Sequence, residues 1–261
     1  MSTAPGWEKW AAWNEQQHEA VIAWLVDPLE RHMTLLDLAS GVGQPALAAA
    51  RRVKQVIATD VAADMLAGLE RRARAAGITN IELRELDMHE LRGVGDASVD
   101  AVTLAFGLMF ARDPLAVLRE ARRVLAPGGR ISVVVWDEPV RNPFFTTISG
   151  SLAEVAPMPP PAPGTPGPFA LAAPGLLERL LGEAGFRTVT VEALPFQLAF
   201  DSLDQHWQIT TELAAPLKRA VESLPPERVQ DLRAAFARNL APYRDGERVR
   251  ITATPLCARG A

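Results

Sequence analysis

The chain has 261 residues, of which 27 are Lys or Arg and 31 are Asp or Glu, so its formal net charge is −4. This balance disfavours a nucleic-acid partner or an anionic membrane surface. The single cysteine, Cys257, excludes an intrachain disulfide framework and a cysteine-rich zinc site. No apolar run approaches the ~18 residues of a membrane span, and the first residues do not resemble an export signal. We therefore expect a cytoplasmic protein without membrane insertion.

Between residues 34 and 136, short apolar runs alternate with helical patterns, which is typical of βαβ units and a parallel sheet. The runs predict strands at 35–39, 56–60, 81–86, 99–104 and 131–136. The segments between them predict helices at about 45–52, 62–76 and 114–125. The run at 131–136 is apolar throughout, so we expect it to be buried on both faces of the sheet.

After residue 136 this alternation ends. The sequence predicts helices at 142–156, 174–184, 202–223 and 226–240, and strands at 186–200 and 249–257. Seven of the 21 prolines lie between Pro157 and Pro168, a segment that can hold neither a helix nor a central strand. This segment is either a disordered linker or a rigid extended connection, and its apolar flanks (Met158, Phe169 and Leu171) favour an ordered, packed loop.

A glycine-containing turn follows the first predicted strand. Gly41, Gly43 and Ala46 satisfy the spacing G-x-G-x-x-G/A, in which glycines let a ligand approach the backbone closely. On its own this spacing is compatible with NAD, FAD or S-adenosylmethionine (SAM).

Charge distinguishes these ligands. A dinucleotide would place its pyrophosphate over the turn, where the carboxylate of Asp37 would oppose it. SAM carries no phosphate, and its sulfonium and ammonium groups favour a carboxylate at that strand end. Asp60 ends the second strand and can accept hydrogen bonds from both ribose hydroxyls. Asp87 suits the adenine amine, and Met88 or Met65 can cover the ring.

Four sequence blocks resemble the class I SAM-dependent methyltransferases, and within them the ubiquinone and menaquinone C-methyltransferases of the UbiE type. In order, the blocks are LDLASGVG at 36–43, ATD with DML within 58–66, AFGL at 105–108 and LREARRVLAPGGR at 118–130. The resemblance covers about residues 34–138 and implies an α/β fold. This fold is a Rossmann-like seven-stranded sheet with six parallel strands and one antiparallel strand, helices on both faces, and the last two strands at 186–200 and 249–257.

The resemblance also implies where SAM binds, and the limits of the βαβ pattern suggest how the chain is divided. The predicted cofactor residues are Asp37, Ala39, Ser40, Gly41, Gly43, Gln44, Asp60, Val61, Met65, Asp87, Met88 and Ala105. The chain divides into N-terminal cap helices (1–33), a SAM-binding core (34–140) and a part with lid helices, the Pro-rich loop and the last two core strands (141–261). We expect these parts to form a single domain with a helical cap from the N-terminus and the C-terminal insertions.

The predicted substrate-binding residues are Trp13, Phe106, Met109, Phe110 and Arg141. The residues from 106 to 110 follow the fourth strand, at the edge where α/β folds bind ligands. Trp7, Trp10 and Trp13 recur every third residue along one predicted helical face. This face is either a hydrophobic seam or an aromatic wall around a flat acceptor.

Methyl transfer is an in-line displacement, and a general base is needed only for a hydroxyl or an acidic carbon. The candidate catalytic residues are His18, His206 and Tyr243. His18 precedes the first core strand, where UbiE-like enzymes close a helix over the cofactor, and a surface or capping role is the alternative. His206 lies beside Trp207 on a predicted lid helix, and Tyr243 lies in a turn, where a structural role is the alternative. We expect His89 to be an exposed loop residue, and no metal site is predicted.

The main hypothesis is a SAM-dependent methyltransferase for a small hydrophobic acceptor that is aromatic, quinone-like or polyketide-like. Methyl transfer to carbon, oxygen and nitrogen all remain open. A second hypothesis is a SAM-binding protein that transfers no methyl and serves as a scaffold or in a cofactor-assisted rearrangement. A third, a nucleotide-binding oxidoreductase, is disfavoured by Asp37. The expected partner is a small molecule and not a nucleic acid, and a homodimer is compatible with the sequence.

Overall fold

The computed structural model describes residues 3–156, 162 and 164–261. In this part of the chain the strands are β1 (Thr34–Leu38), β2 (Gln55–Asp60), β3 (Ile81–Glu85), β4 (Val99–Ala105), β5 (Leu125–Trp136), β6 (Thr190–Ala193), β7 (Phe196–Phe200), β8 (Arg244–Asp245), β9 (Arg248–Ala253) and β10 (Pro255–Gly260). The α-helices are α1 (Ala4–Lys9), α2 (Ala11–Gln17), α3 (Glu19–Val26), α4 (Ala46–Ala50), α5 (Ala63–Ala75), α6 (Pro114–Val124), α7 (Pro143–Val155), α8 (Leu176–Glu183), α9 (Leu203–Leu213), α10 (Ala215–Ser223) and α11 (Pro226–Asn239). Short 3-10 helices span Leu108–Phe110, Pro139–Arg141 and Ala241–Tyr243.

The chain forms two compact units, each made from several stretches of sequence. The core unit comprises the described residues of His18–Asp137, Gly164–Leu194 and Pro255–Ala261. The second unit comprises those of Met1–Gln17, Glu138–Pro163 and Pro195–Thr254. The cap and lid roles assigned to 1–33 and 141–261, and the single domain, stay predictions.

The core unit contains a seven-stranded sheet in the order β3-β2-β1-β4-β5-β10-β6. β1 pairs in parallel with β2 and β4, β2 pairs with β3, and β4 pairs with β5. β10 is antiparallel to both of its neighbours, β5 and β6. β6 therefore runs in the same direction as β5, and six of these seven described strands are parallel. The predicted fold class, a Rossmann-like and mostly parallel sheet with helices, is confirmed.

Burial explains why the apolar runs become central strands. All residues of 131–136 in β5 are buried, as are Leu35, Leu36 and Leu38 in β1. A buried cluster joins the strands β1 and β2 to the helices α4 and α5 through side chains such as Leu35, Val56 and Leu69. Full burial of one such side chain contributes about 2 kcal/mol relative to its exposure.

Cys257 lies in the middle of β10 and is fully buried. Burial raises the pKa of its thiol to about 12, and the nearby Glu192 adds to the increase. The thiol is therefore protonated at neutral pH, because its pKa lies far above 7.

The two strands predicted after residue 185 are wrong as continuous elements. The segment 186–200 divides into β6 and β7, and 249–257 divides into β9 and β10. β6 and β10 belong to the seven-stranded sheet, whereas β7 and β9 belong to a three-stranded sheet. Pro195 and Pro255 lie at the two divisions. Proline cannot donate a ladder hydrogen bond, so a strand tends to end or begin there.

The second unit contains the antiparallel sheet β7-β9-β8 and helices. An apolar cluster joins α7, α10 and α11 through Leu152, Val155, Leu217 and Leu232. The helix predicted at 202–223 is wrong as a single element, because α9 ends at Leu213 and α10 begins at Ala215. A proline in the first turn of α10 explains the break, because proline has no N–H with which to continue the hydrogen bonds of α9.

The tryptophans of the N-terminal segment do not share one helix. α1 ends at Lys9 and α2 begins at Ala11, so Trp10 lies between the two helices. The indole of Trp10 donates to Glu212 Oε2 (2.7 Å), which Lys9 Nζ also contacts (3.1 Å). The indole of Trp13 donates to the carbonyl of Ala199 (3.1 Å). Both indoles therefore form hydrogen bonds within the second unit, and the choice between a seam and an aromatic wall stays a prediction.

Half of the predicted Pro-rich loop at 157–168, including Met158, falls on residues 157–161 and 163, which lie outside the described residues. Of the part that is described, the Gly167 N–H donates to the carbonyl of Met109 (3.0 Å), and Leu171 is buried.

None of the helices in the described part of the chain has the length and apolar character needed to cross a membrane.

Candidate active site

The glycine turn between β1 and α4 is fixed by hydrogen bonds to β2. The backbone N–H of Ser40 donates to the carbonyl of Thr59 (2.8 Å), and its hydroxyl donates to the carbonyl of Asp37 (2.9 Å). The same hydroxyl accepts from the Thr59 N–H (3.1 Å). The buried side chain of Ser40 therefore holds the carboxyl ends of β1 and β2 together.

Asp60 ends β2 and contacts the glycine turn. Its Oδ2 accepts from the Gly41 N–H (2.9 Å), and its Oδ1 accepts from the Ala62 N–H (2.9 Å). A carboxylate offers about four acceptor positions, so both oxygens can still accept from hydroxyl groups. The next residue, Val61, is 71% exposed and open to a ligand.

Asp37 lies near the carboxyl end of β1 and is fully buried. Its Oδ1 accepts from the Thr103 hydroxyl at 2.5 Å, and its Oδ2 has no hydrogen-bond partner among the described residues. Burial raises the pKa of this carboxyl to about 6, against the effect of hydrogen bonds from Thr103 and Ser40, and Asp60 adds a smaller increase. An unpartnered buried carboxylate is costly, and a cationic ligand group would offset that cost. The site thus fits the sulfonium and ammonium groups of SAM.

The ends of β1 and β4 approach each other closely. A Cβ atom on Gly107 would lie 2.7 Å from the Cβ of Ala39, so only glycine fits at position 107. Ala39 (φ 52°) and Phe106 (φ 55°) both adopt the left-handed region, which is uncommon for residues other than glycine. Such strained residues cluster at functional sites. Ala105 precedes them at the end of β4 and is partly buried.

Asp87 lies in the loop after β3. Its Oδ1 accepts from the N–H of His89 (2.9 Å) and contacts His89 Nδ1 at 2.6 Å, while Oδ2 lies 3.9 Å from Arg112 Nη2. The backbone bond from His89, followed by the side-chain bond, lowers the pKa of Asp87. His89 lies in a loop, as predicted, but the predicted exposure is wrong, because its side chain is only 18% exposed and contacts Asp87. Met88 and Met65 are partly buried.

Three aromatic rings meet at the carboxyl ends of β4 and β5. Phe106 and Trp136 stack with a centroid distance of 4.4 Å and an interplanar angle of 29°. The His18 ring lies edge-on to both, 5.5 Å from Phe106 and 6.2 Å from Trp136. His18 is 7% exposed, so it is not a surface residue. We call these three residues the aromatic corner.

The other substrate residues predicted after β4 differ in exposure. Met109 is 2% exposed and belongs to the buried core, whereas Phe110 is 53% exposed and open to a ligand. Gly43 and Gln44 belong to the turn that precedes α4.

Four predicted acceptor or catalytic residues belong to the second unit: Trp13, Arg141, His206 and Tyr243. The Phe200 ring lies between Trp13 (5.0 Å) and His206 (3.8 Å, nearly parallel). His206 is fully buried, neither ring nitrogen has a partner among the described residues, and burial lowers its pKa to about 3. Arg141 is exposed and Tyr243 is partly buried, each at the end of a 3-10 helix. Their roles stay predictions.

Sequence reasoning missed Thr103 and Trp136. The signal for Thr103 was a hydroxyl within an apolar strand, and its partner, Asp37, lies on the adjacent strand β1. The signal for Trp136 was an aromatic residue at the carboxyl end of a core strand, the position of ligand sites in α/β folds. Among the described residues, no three His, Cys, Asp or Glu side chains cluster to form a metal site.

Comparisons with known proteins agree with this geometry. A family described as "Methyltransferase domain" matches residues 36–133. Demethylmenaquinone methyltransferase of Thermus thermophilus is 34% identical over 183 residues, covering 63% of this chain and 79% of that protein. The ubiquinone/menaquinone biosynthesis C-methyltransferase UbiE of Brucella abortus is 36% identical over 124 residues, and the match spans 46% of each chain, less than half of that relative's length.

A solved structure has the same fold. The YcgJ protein of Bacillus subtilis matches with a TM-score of 0.61 and 15% identity, covering 93% of this chain and 98% of that one. At this identity the likeness shows the fold alone. The Thermus relative supplies the sequence relationship, and the chain belongs to the class I SAM-dependent methyltransferases as a UbiE-like member.

Proposed function

We propose that this methyltransferase binds SAM at the carboxyl ends of β1, β2 and β3 and methylates a small, flat, hydrophobic acceptor. The observation that carries the proposal is the position of two features on neighbouring strands. The buried, unpartnered Oδ2 of Asp37 lies at the end of β1, and the aromatic corner begins at Phe106, after β4. One feature suits a cation and the other suits an aromatic ring.

The cofactor part of the proposal assigns a role to each strand end. Asp37 offsets positive charge, Asp60 accepts from the ribose hydroxyls and Asp87 accepts from the adenine amine. Bound SAM supplies an electrophilic methyl group on sulfur. The glycine turn allows close approach of the backbone, and Met65, Met88 and Val61 provide apolar contact with the adenine.

The acceptor part of the proposal rests on the aromatic corner and the relatives. Stacked rings favour a flat partner in offset or edge-to-face contact. The relatives are named for demethylmenaquinone and for ubiquinone or menaquinone biosynthesis, so a quinone-like acceptor is the first class to test. An aromatic polyketide has the same shape and is the second class.

For a hydroxyl or an acidic carbon, we propose His18 as the general base. Its ring lies edge-on to Phe106 and Trp136, so it can face an acceptor that packs against Phe106. Proton removal from the acceptor increases its nucleophilicity, and the surrounding rings exclude water from the reacting atoms.

We further propose a cytoplasmic location, a homodimer and no nucleic-acid partner. The single cysteine fits a reducing compartment and supports the first of these, and the net charge of −4 supports the absence of a nucleic-acid partner. Sedimentation velocity measures the oligomeric state directly, and a monomer at micromolar concentration would contradict the dimer.

A direct assay tests the acceptor. The purified protein is incubated with SAM and either a reduced prenylated naphthoquinol or a reduced benzoquinol, with an aromatic polyketide in a parallel reaction. We expect S-adenosylhomocysteine and a product with one added methyl group, detected by mass spectrometry, from at least one quinol. Tight SAM binding without methylation of any acceptor would favour the non-methylating hypothesis.

Asp60→Ala tests the cofactor site. We expect SAM affinity, measured by calorimetry, to fall about tenfold or more, because hydrogen bonds to a carboxylate are among the stronger ones. Asp64→Ala, on the exposed side of α5, is the matched control and should keep wild-type affinity. Unchanged affinity in Asp60→Ala would show that SAM does not bind as proposed.

A further inference from the structure

His89 joins the loop after β3 to the start of α6. Its Nδ1 lies 2.6 Å from Asp87 Oδ1, and its Nε2 accepts from the Asp113 N–H at 3.4 Å. Asp113 is the N-cap of α6, where its side chain accepts from the Ala116 N–H (3.0 Å). The imidazole is therefore held at both nitrogens, by the loop on one side and by a helix start on the other.

These two contacts fix the proton of the neutral imidazole. Nε2 faces a backbone N–H and must be the acceptor, so Nδ1 carries the hydrogen and donates it to Asp87. Asp87 Oδ1 then receives two hydrogen bonds from one residue, since the His89 N–H also donates to it (2.9 Å). This oxygen cannot turn away without losing both bonds.

The second oxygen of Asp87 remains available for a ligand. Oδ2 lies 3.9 Å from Arg112 Nη2, beyond hydrogen-bond distance, and the Asp87 side chain is 49% exposed. An ionised carboxylate can only accept hydrogen bonds, so Oδ2 requires a donor from its ligand.

We propose that His89 is a positioning residue that holds Asp87 Oδ2 toward the 6-position of the purine of SAM, and so makes the site select a 6-amino purine over a 6-oxo purine. This inference rests on the proposed binding of adenine by Asp87. The adenine amine donates to Oδ2. The carbonyl of hypoxanthine at the same position would face the carboxylate as a second acceptor, which is repulsive. Without the His89 imidazole, only the backbone N–H of residue 89 still holds Oδ1, so the carboxylate can turn more easily away from that carbonyl.

Calorimetry with two product analogues tests the proposal. S-adenosylhomocysteine and S-inosylhomocysteine differ only at the purine 6-position and the protonation of N1. We expect the wild-type protein to prefer the adenosyl compound by about tenfold or more, because a site built to accept a hydrogen bond rejects a ligand without the donor. His89→Ala should reduce this preference at least about threefold, chiefly because the protein then binds the adenosyl compound less tightly.

His89→Asn is the conservative variant, because its amide nitrogen can occupy the place of Nδ1 and donate to Asp87. We expect it to restore most of the preference. Asp87→Asn should lose the preference, because its amide can either donate or accept. His32→Ala is the matched control, since His32 is 71% exposed, and it should keep the wild-type preference.

The outcomes separate this inference from the proposed function. A wild-type protein that binds neither compound would overturn the proposed cofactor site. A wild-type preference for the adenosyl compound that persists in His89→Ala would overturn the positioning role alone. If His89→Ala weakens the binding of both compounds equally and His89→Asn does not restore it, His89 has only a structural role. That result would also overturn the positioning role.

Discussion

The buried carboxyl of Asp37 should make protein stability depend on pH. Its pKa is about 6 in the folded protein, against an ordinary value of 3.8. Between these values the folded protein binds more protons than the unfolded chain, so the free energy of unfolding falls as pH rises. The raised pKa of Asp37 adds about 3 kcal/mol to the free energy of unfolding below about pH 4, and this addition is lost above about pH 6.

Urea unfolding of the ligand-free protein across this pH range measures the effect. Asp37→Asn should remove this pH dependence, whereas Asp64→Asn, an exposed residue on α5, should retain it. SAM affinity should rise over the same pH range, because a cation binds the ionised form of Asp37. A ligand-free protein that gains stability between pH 4 and 6 through Asp37 would contradict the raised pKa.

Gly107 should resist substitution for steric reasons. A Cβ atom there would meet the Cβ of Ala39 at 2.7 Å and the Cδ1 of Leu104 at 2.9 Å. We expect Gly107→Ala to lower the free energy of unfolding by about 1–3 kcal/mol, the usual cost of overpacking. Gly182→Ala is the control, because a Cβ in that position of α8 meets no atom within 4 Å. It should be neutral or stabilising by up to about 1 kcal/mol.

At the scale of elements, the carboxyl end of β4 presents one ring of the aromatic corner. Phe106→Ala should raise KM for the aromatic acceptor about tenfold, because a ring contact contributes through its buried area and its stacking. SAM affinity should change less than about twofold, since the cofactor residues at β1 to β3 remain. Trp136→Phe keeps a ring and should show a smaller effect. Equal KM values for wild type and Phe106→Ala would show that the aromatic corner is not part of the acceptor site.

The strands β1, β2 and β4 could be predicted because each is a local apolar run, and β3 because its apolar and polar residues alternate. The apolar run 131–136 predicted β5, but that strand begins six residues earlier, at Leu125. The strands after β5 could not be predicted correctly, because the sequence of β6 and β7 resembles one continuous strand, although the two strands pair with different neighbours. β6 pairs with β10, and β7 pairs with β9. Pairing depends on distant residues, and a single proline was a weak sign of the change.

The candidate site shows the same limit. Asp37, Asp60 and Asp87 could be predicted because each lies at or just beyond the end of its own strand. The contact of Thr103 with Asp37 depends on the register of β4 against β1, which pairs these two residues directly. The stacking of Phe106 on Trp136 likewise depends on how β4 lies beside β5. The register between neighbouring strands is set by packing across the sheet, so it cannot be predicted from the order of residues along the chain alone.

At the scale of the whole molecule, the seven-stranded sheet depends on the last residues of the chain. β10 pairs with β5 on one side and β6 on the other. Removal of residues 255–261 would leave the edge of β5 unpaired along an apolar, buried strand, which favours aggregation. We expect this deletion to give an insoluble product, measured by sedimentation after expression.

Removal of Ala261 alone is the control. It costs one hydrogen bond, from the Arg187 N–H to the Ala261 carbonyl, and should leave a soluble protein with a wild-type circular dichroism spectrum. A soluble, cooperatively folding protein without 255–261 would contradict the importance of β10.

The position of Cys257 gives the protein an internal kinetic reporter. Only a thiolate reacts at an appreciable rate, and this thiol is both buried and held protonated within β10. A disulfide reagent added at neutral pH can therefore label the native protein only when β10 separates from its neighbours. The labelling rate measures how often this edge of the sheet opens, and its slowing by SAM would measure how far ligand binding at the opposite strands suppresses that opening.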